Sequence, residues 1–326
     1  MKFREIRTSG EAESEILLAI HNGEYIHGPY IEKVENEMKR ITRCQNVIAV
    51  SSGTMGLKIA LDVLGIKPGD MVIIPDMTFV ACALVIMELG AIPVFVDIDS
   101  FTFVLDEKST CDAIIKYGNK IKAIMAVRLG GEPIPEWTFN LGMPVVVDSA
   151  HSMSAVDPRA FATVYSFHPS KIISGIEGGL IAISTAPCAV KCRELRCFGF
   201  LEGSRVAKEA GYKAYMSNVS AILVYFNLLQ LEATLRERRR IRDVFNERFG
   251  LNNQGLGMYM VLVSDPDGLC KKIPAIRHYP MTLSKMIDCE VNNPKAIYVT
   301  EHLVSLPFHE WLTNEDVDLI VKSLMI

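Results

Sequence analysis

The segment 46–54 has the sequence Asn46-Val47-Ile48-Ala49-Val50-Ser51-Ser52-Gly53-Thr54. It joins a short apolar strand to a turn of small residues, and residues 55–64 continue with the apolar spacing of a helix. Further apolar runs of strand length alternate with helical segments, at residues 71–75, 93–97, 122–127, 144–148, 162–167 and 179–183. Such runs are typical of a mostly parallel sheet covered by helices on both faces, so we predict an α/β fold of this kind.

The length of 326 residues exceeds the usual size of a single core, which predicts more than one domain. We expect a large domain over residues 1–225 that includes the N-terminal helices. A smaller α+β domain over residues 226–326 would contain most of a long helix predicted at 218–242. Its last helix, near residues 314–325, has an apolar stripe at helical spacing.

Composition excludes several classes of function. The formal net charge is −4, and the most basic run, residues 236–242, is interleaved with acidic residues, so no nucleic-acid partner is expected. Polar and charged residues interrupt the most apolar stretches, 80–98 and 221–235, and the first residues lack a signal-peptide pattern. We therefore expect a cytoplasmic protein without a membrane segment. The eight cysteines include no Cys-x-x-Cys pair, so no metal site is predicted.

The first candidate for chemistry is Asp148, which ends the apolar strand 144–148. A carboxylate at the mouth of a buried strand needs a cationic partner, because removing it from water is costly. The protonated pyridine nitrogen of pyridoxal phosphate would be such a partner, and an aspartate is one of the groups that proteins use for it. A helix cap or a metal ligand is the alternative role for this residue.

The second candidate is Lys171, in the loop Ser166-Phe167-His168-Pro169-Ser170-Lys171. An amine held beside a bound cation and away from bulk water loses its proton more easily and can act as a nucleophile. Ser166 and Ser170 supply hydroxyls for a phosphate, and Gly178-Gly179 before an apolar strand predicts a close approach of two backbone segments. An ordinary surface lysine is the alternative.

Three further positions complete a possible cofactor site. The turn 51–54 begins a helix, whose N–H groups and dipole favour an anion, and Gly53 would let the backbone approach a phosphate. Phe79 could stack on a planar ring. His151 could contact the same ring. Each has a plain structural alternative: a helix cap, a core phenylalanine and a hydrogen-bonded histidine.

Together these segments resemble the DegT/StrS-type sugar aminotransferase family of fold-type I pyridoxal-phosphate enzymes. The resemblance extends from about Gly28 to the C-terminus and rests on residues 51–54, 69–75, 78–81, 97–99, 148–151, 166–171, 177–179, 277–280 and 305–309. It implies an enzyme that transfers an amino group, usually from glutamate, to a keto sugar linked to a nucleotide.

The resemblance also implies a role for each candidate residue. Lys171 would hold pyridoxal phosphate as a Schiff base and move the proton, and Asp148 would pair with the pyridine nitrogen. Phe79 would stack on the ring and His151 would lie beside it. The phosphate would be bound by Gly53, Thr54 and Ser166.

The sequence departs from the family pattern in its second half. The segment 211–217 has Lys213 where the family has an asparagine that reaches the phosphate of the partner subunit. We expect a homodimer in which Lys213 binds this phosphate as a point charge. The segments 130–144 and 152–165, which would face the substrate, are short.

Two alternatives to the sugar aminotransferase remain open at this point. One is another pyridoxal-phosphate reaction on a small amino acid or keto substrate. The other is a non-catalytic binding or regulatory protein on the same fold, since a fold alone does not fix a function.

Overall fold

A central sheet and a small second sheet organise the chain. The computed structural model describes residues 1–201, 203–289 and 291–324. The strands of the central sheet are β1 (Val47–Val50), β2 (Met71–Pro75), β3 (Ile92–Val96), β4 (Ile121–Val127), β5 (Val145–Asp148), β6 (Ala162–Ser166) and β7 (Gly179–Ile183). The small sheet consists of β8 (Tyr259–Leu262) and β9 (Leu303–Leu306).

Twelve α-helices lie in the described part of the chain. They are α1 (Gly10–His21), α2 (Tyr30–Thr42), α3 (Gly53–Leu64), α4 (Ala81–Glu88), α5 (Glu107–Tyr117), α6 (Ala186–Arg196), α7 (Asn218–Leu229), α8 (Leu231–Phe249), α9 (Pro266–Lys272), α10 (Leu283–Met286), α11 (Pro294–His302) and α12 (Asn314–Leu324). Among the described residues, none of these helices is long and apolar enough to cross a membrane.

The central sheet is mixed but mostly parallel, with the strand order β1-β7-β6-β5-β4-β2-β3. The pairs β6–β5, β5–β4, β4–β2 and β2–β3 are parallel, whereas β7 is antiparallel to both of its neighbours. The predicted fold class is therefore confirmed. Because β7 runs the other way, its first residue, Gly179, lies at the same edge as the last residues of β5 and β6.

Both faces of the sheet are covered, as the continuous apolar strands predict. Ile48 and Val50 pack in a buried cluster with α3, α4 and α6. Val47 and Ala49, which point to the opposite face, pack in a second cluster with α2 and α7. Burying both faces leaves the edge at the carboxyl ends of the parallel strands as the place for a ligand.

The C-terminal region has a core of its own. Side chains of α8, the β8–β9 sheet and α12 meet there, among them Ile241, Phe245, Tyr259, Leu306 and Ile320. This confirms the predicted smaller α+β region. The predicted division at residue 225 falls inside α7, which packs on α1 and α2, and stays a prediction.

Two predicted helix boundaries are wrong. The long helix predicted at 218–242 is two helices, because Gln230 leaves the helical conformation (φ −96°, ψ 3°), and the second helix continues to Phe249. The sequence also predicts a helix from Thr78 to about Leu89, and this helix begins only at Ala81. Asp76 lies just before this helix. Its carbonyl oxygen accepts a hydrogen bond of 2.8 Å from the backbone N–H of Leu283, and its Oδ1 accepts one of 2.7 Å from that of Ser284. These bonds fix the chain at the position where it enters the helix.

Candidate active site

A cavity of about 800 Å³ opens at the carboxyl edge of the central sheet, between the sheet and the C-terminal region. The ends of β5 and β6 and the first turn of α3 form its base. The predicted site residues that line it are Gly53, Thr54, Phe79, Asp148, His151, Ser166 and Lys171. Positions separated by more than 100 residues in the sequence thus meet around one space.

Asp148 lies at the base of this cavity, with only 7% of its surface exposed. Its Oδ1 accepts a hydrogen bond of 2.9 Å from the backbone N–H of Ala150, and the thiol of Cys82 donates to Oδ2 over 3.4 Å. Burial raises the pKa of this carboxyl, while the Ala150 N–H and the charge of Lys171 lower it. No ion pair within 4 Å satisfies the carboxylate among the described residues, so the site favours a cationic ligand beside it.

Lys171 occupies the loop between β6 and β7, and hydrogen bonds of the backbone fix its position. Its own N–H donates to the carbonyl oxygen of His168 over 2.9 Å, and the N–H of Phe167 donates to the carbonyl oxygen of Gly178 over 2.9 Å. Burial lowers the pKa of the Lys171 amine to about 8, although the charge of Asp148 opposes this. An amine with this pKa is partly unprotonated near neutral pH and can act as a nucleophile or a base.

The first turn of α3 forms an anion-binding surface. Ser52 caps the helix, since its hydroxyl accepts a hydrogen bond of 3.2 Å from the N–H of Met55. The first N–H groups of a helix have no intrahelical acceptor and favour negative charge. A Cβ atom on Gly179 would lie 2.5 Å from the carbonyl carbon of Ser52 and 2.6 Å from the nitrogen of Gly53. The close approach predicted from Gly178-Gly179 is therefore present.

Ser166 and Thr54 lie on either side of this turn. A Cβ atom on Gly53 would lie 3.0 Å from the Cβ of Ser166, so the turn and the end of β6 are in contact. The Ser166 hydroxyl accepts a hydrogen bond of 3.3 Å from the N–H of His168 and keeps its own proton available. Thr54 is exposed at the cavity mouth. Phosphate oxygens placed here would meet both hydroxyls and the helix N–H groups.

His151 presents a defined nitrogen to the cavity. Its Nδ1 accepts a hydrogen bond of 3.2 Å from the backbone N–H of Gly130. Burial lowers the pKa of the imidazole well below its usual range, and the charge of Lys171 adds to this. The ring is therefore neutral, and with Nδ1 as acceptor its proton belongs on Nε2, which makes this nitrogen a hydrogen-bond donor.

Phe79 stands at the cavity mouth with 62% of its surface exposed. It follows Thr78, which is buried and whose Oγ1 lies 3.7 Å from the Sγ of Cys82. The exposed face leaves the ring free to contact a planar group in the cavity.

Lys213 is not among the residues that line the cavity. It is exposed and forms an isolated antiparallel bridge with Cys197. Within one chain, the structure does not bring it to the other predicted residues, so its expected contact across a subunit interface stays a prediction.

Sequence reasoning assigned no role to three basic residues of the cavity: Arg4, Arg128 and His278. Arg128 follows β4, and its backbone N–H donates to the carbonyl oxygen of Asp148 over 2.9 Å, while its guanidinium donates to Ser154. The position of Arg128 directly after an apolar strand is a signal that could have been used. His278 lies in the segment 277–280, which is one of the segments that resemble the family, whereas Arg4 lies outside all of these segments.

The fold is that of fold-type I aminotransferase structures. The solved structure of a DegT DnrJ EryC1 StrS aminotransferase from Brucella abortus matches with a TM-score of 0.88 at 25% identity, over 96% of this chain and 94% of that chain. NtdA from Bacillus subtilis, solved with bound cofactor PMP, matches with a TM-score of 0.88 at 22% identity, over 100% of this chain and 86% of that chain.

Residues 7–262 match the model of the DegT/DnrJ/EryC1/StrS aminotransferase family, and the chain belongs to this family. A GDP-perosamine synthase from Escherichia coli O157:H7 is 31% identical over 232 residues, which cover 68% of this chain and 63% of the relative. A pleiotropic regulatory protein from Geobacillus stearothermophilus is 29% identical over 261 residues, which cover 76% of this chain and 68% of the relative. The match to the Escherichia coli relative thus spans less than two thirds of its length.

Proposed function

We propose that this protein is a pyridoxal-phosphate-dependent aminotransferase that transfers an amino group from glutamate to a nucleotide-linked keto sugar. Membership of the aminotransferase family supports the reaction class. The likeness to a GDP-perosamine synthase supports a sugar nucleotide as the acceptor. One observation carries the proposal: Asp148 and Lys171 line the same cavity, whose base includes the first turn of α3.

The residues of the cavity fit pyridoxal phosphate at both of its ends. Asp148 is a buried carboxylate without an ion-pair partner among the described residues, which suits a protonated ring nitrogen. The turn at Ser52 and Gly53, where β7 leaves no room for a side chain on Gly179, suits a phosphate. When bound, the cofactor supplies an electron-withdrawing ring that stabilises negative charge on the carbon being altered.

Lys171 carries the chemical role. Its amine, with a pKa lowered by burial to about 8, is the nucleophile that would hold the cofactor. Once it is released by the amino substrate, the same Nζ can take a proton from the substrate carbon and return it. The carboxyl group of Asp148 at the base of the cavity would pair with the ring nitrogen and favour its protonated form.

The remaining predicted residues would hold and orient the cofactor. The Nε2–H of His151 would be a hydrogen-bond donor for an oxygen of the ring, and Phe79 at the cavity mouth would contact the ring. Gly53, Thr54 and Ser166 would bind the phosphate. We further propose a homodimer in which the exposed Lys213 reaches the phosphate of the partner site, and a cytoplasmic location.

The test is the visible absorption spectrum of the purified protein with added pyridoxal phosphate, before and after L-glutamate. We expect a band that Lys171→Ala abolishes and that glutamate bleaches in the wild-type protein. Lys67→Ala, which removes an exposed lysine elsewhere, is the matched control and should keep the band. A band of equal intensity in Lys171→Ala protein would refute the assignment of this lysine.

The acceptor is tested separately. Bleached protein, freed of glutamate, should recover its band when a nucleotide-linked keto sugar is added, and recovery only with simple keto acids would favour another pyridoxal-phosphate reaction.

A second candidate function is regulatory. The pleiotropic regulatory protein of Geobacillus stearothermophilus is 29% identical to the chain, and this likeness favours the idea. Turnover with any donor and acceptor pair would argue against a purely regulatory role, whereas absence of any absorption band would make that role the leading proposal.

A further inference from the structure

Residues 2–7 lie across the C-terminal region and reach into the cavity beside Lys171. Three contacts hold this segment. The backbone carbonyl oxygen of Lys2 accepts a hydrogen bond of 3.2 Å from Nε2 of His309, and the ring centroids of Phe3 and His278 are 5.3 Å apart. The guanidinium of Arg7 lies 4.3 Å from the centroid of the Trp311 ring. Because these contacts flank Arg4 on both sides, they fix its side chain in the cavity, where it is one of the lining residues.

The guanidinium of Arg4 has no anionic partner at this position. Among the described residues it takes part in no ion pair within 4 Å, and its buried Nε has no hydrogen-bond acceptor. Glu310, whose charge acts on it, is already paired with Arg238 at 2.9 Å. Burial, together with the charge of Arg238, lowers the pKa of Arg4 to about 9. A buried donor without an acceptor is costly, so this group favours an anion in the cavity.

The charge of Arg4 acts on the reacting part of the site. It contributes to the lowered pKa of both Lys171 and His151, which line the same cavity as Arg4. In an amino acid, the α-carboxylate is attached to the same carbon as the reacting amine. In a nucleotide-linked sugar, the diphosphate is separated from the keto carbon by part of the sugar ring. The planar guanidinium also matches the geometry of a carboxylate.

We propose that Arg4 binds a carboxylate of the amino donor, an inference that rests on the aminotransferase function proposed above. Arg4 therefore acts in substrate binding and selection rather than in proton transfer. The segment 2–7 is a part of the substrate site that is remote in sequence from the cofactor residues.

The first test uses cofactor-free protein and glutarate, a dicarboxylate that cannot react. Titration calorimetry should show glutarate binding to the wild-type protein and at least about ten-fold weaker binding to Arg4→Ala, the loss of a charged hydrogen-bonded contact. Arg4→Lys should restore part of the affinity, because it keeps the charge and loses the planar fork. Lys2→Ala is the matched control, because it removes a positive charge from the same segment outside the cavity lining and keeps the backbone carbonyl that contacts His309, and it should bind glutarate like the wild type.

The second test uses the cofactor-loaded protein and follows the bleaching of the visible band at increasing L-glutamate. Arg4→Ala should need at least about ten-fold more glutamate for half-maximal rate, with a smaller change in the maximal rate. L-alanine, which has only the α-carboxylate, shows which carboxylate is bound: the same loss with alanine identifies the α-carboxylate, and a loss with glutamate alone identifies the side chain.

The two proposals fail in different ways. Equal glutarate affinity of wild-type and Arg4→Ala protein, including no binding to either, overturns the role of Arg4 even if the visible band forms normally. Absence of the band refutes the cofactor and leaves the glutarate titration, which needs no cofactor, as an independent measurement.

Discussion

Two parts of the cavity are built in different ways. The floor, which we define as residues 51–54, 148–151, 166–171 and 179, consists of strand ends and the turns directly after them. The rim, which we define as Arg4, Arg128, His278 and Phe308, comes from the N-terminal segment, the end of β4 and the C-terminal region. Each floor residue is placed by its own strand and turn, whereas most rim residues are placed by contacts with distant parts of the chain.

This difference separates the two tasks of the proposed enzyme. The floor offers an acid, an amine and an anion-binding turn, which is what a charged planar cofactor needs. The rim offers the guanidinium groups of Arg4, which has no ion pair among the described residues, and of Arg128, which donates to Ser154. An anionic substrate needs cations of this kind. Substitutions in the floor should therefore affect cofactor chemistry, and substitutions in or below the rim should affect substrate binding and the stability of the C-terminal region.

The largest expected effect concerns Arg238, which supports the rim from below. This arginine is fully buried, pairs with Glu310 at 2.9 Å and donates to the carbonyl oxygens of Leu256 at 3.1 Å and of Phe308 at 3.2 Å. Arg238→Met leaves these acceptors unpaired and should lower the free energy of unfolding by about 3–5 kcal/mol, measured by urea denaturation.

Arg240→Met is the matched control for Arg238. Arg240 lies on the same helix, and its ion pair with Glu237 is more than a third exposed on both sides. Its loss should cost at most about 1 kcal/mol. Equal costs for the two substitutions would show that the rim does not depend on the buried pair.

The next effect concerns the floor. Asp148→Asn replaces the carboxylate with a neutral amide of the same shape, which stabilises a protonated ring less well. We expect the maximal rate of glutamate-dependent bleaching to fall on the order of 10²–10³-fold, as for other preorganised charges in active sites. Stopped-flow absorption measures this rate, and half-saturating glutamate should change much less.

Asp70→Asn, in the turn before β2, is the control for Asp148 and should leave the bleaching rate unchanged. If Asp148→Asn instead raised the half-saturating glutamate concentration at an unaltered maximal rate, Asp148 would belong functionally with the rim.

The floor could be predicted from the sequence because its residues follow local rules. An apolar strand that ends in Asp148 places this side chain at the carboxyl edge of a parallel sheet. A capped helix that begins at Gly53 places its first turn at the same edge. The position of Lys171 in a loop of small residues between two strands predicts it as a site residue by the same local reasoning. These inferences need only the strand order to be approximately right.

Arg4, unlike the rest of the rim, could not be predicted because its position depends on packing between distant segments. Arg4 enters the cavity only because Phe3 and Arg7 find partners in the C-terminal region. In the same way, the late start of α4 depends on the contacts of Asp76 with Leu283 and Ser284, which local propensity does not contain. Local patterns predict the floor, whereas long-range contacts place Arg4 in the rim.

The smallest expected effect tests how closely the floor is packed. A Cβ atom on Gly179 would meet only backbone atoms of Ser52 and Gly53, which cannot rotate away as a side chain would. Gly179→Ala must therefore separate β7 from the first turn of α3, at a cost of about 1–3 kcal/mol in unfolding free energy. The displaced turn should also bind pyridoxal phosphate more weakly, which a titration of the visible band measures.

Gly10→Ala is the control for Gly179, because nothing lies within 4 Å of a Cβ atom at Gly10, the first residue of α1. It should be neutral or slightly stabilising, since alanine favours a helix by up to about 1 kcal/mol over glycine. If Gly179→Ala lowers stability while cofactor affinity stays the same, the contact between β7 and the turn serves the fold alone. A joint loss of both supports the view that the floor, unlike the rim, is a single unit in which strand ends, turn and phosphate site depend on the same backbone contact.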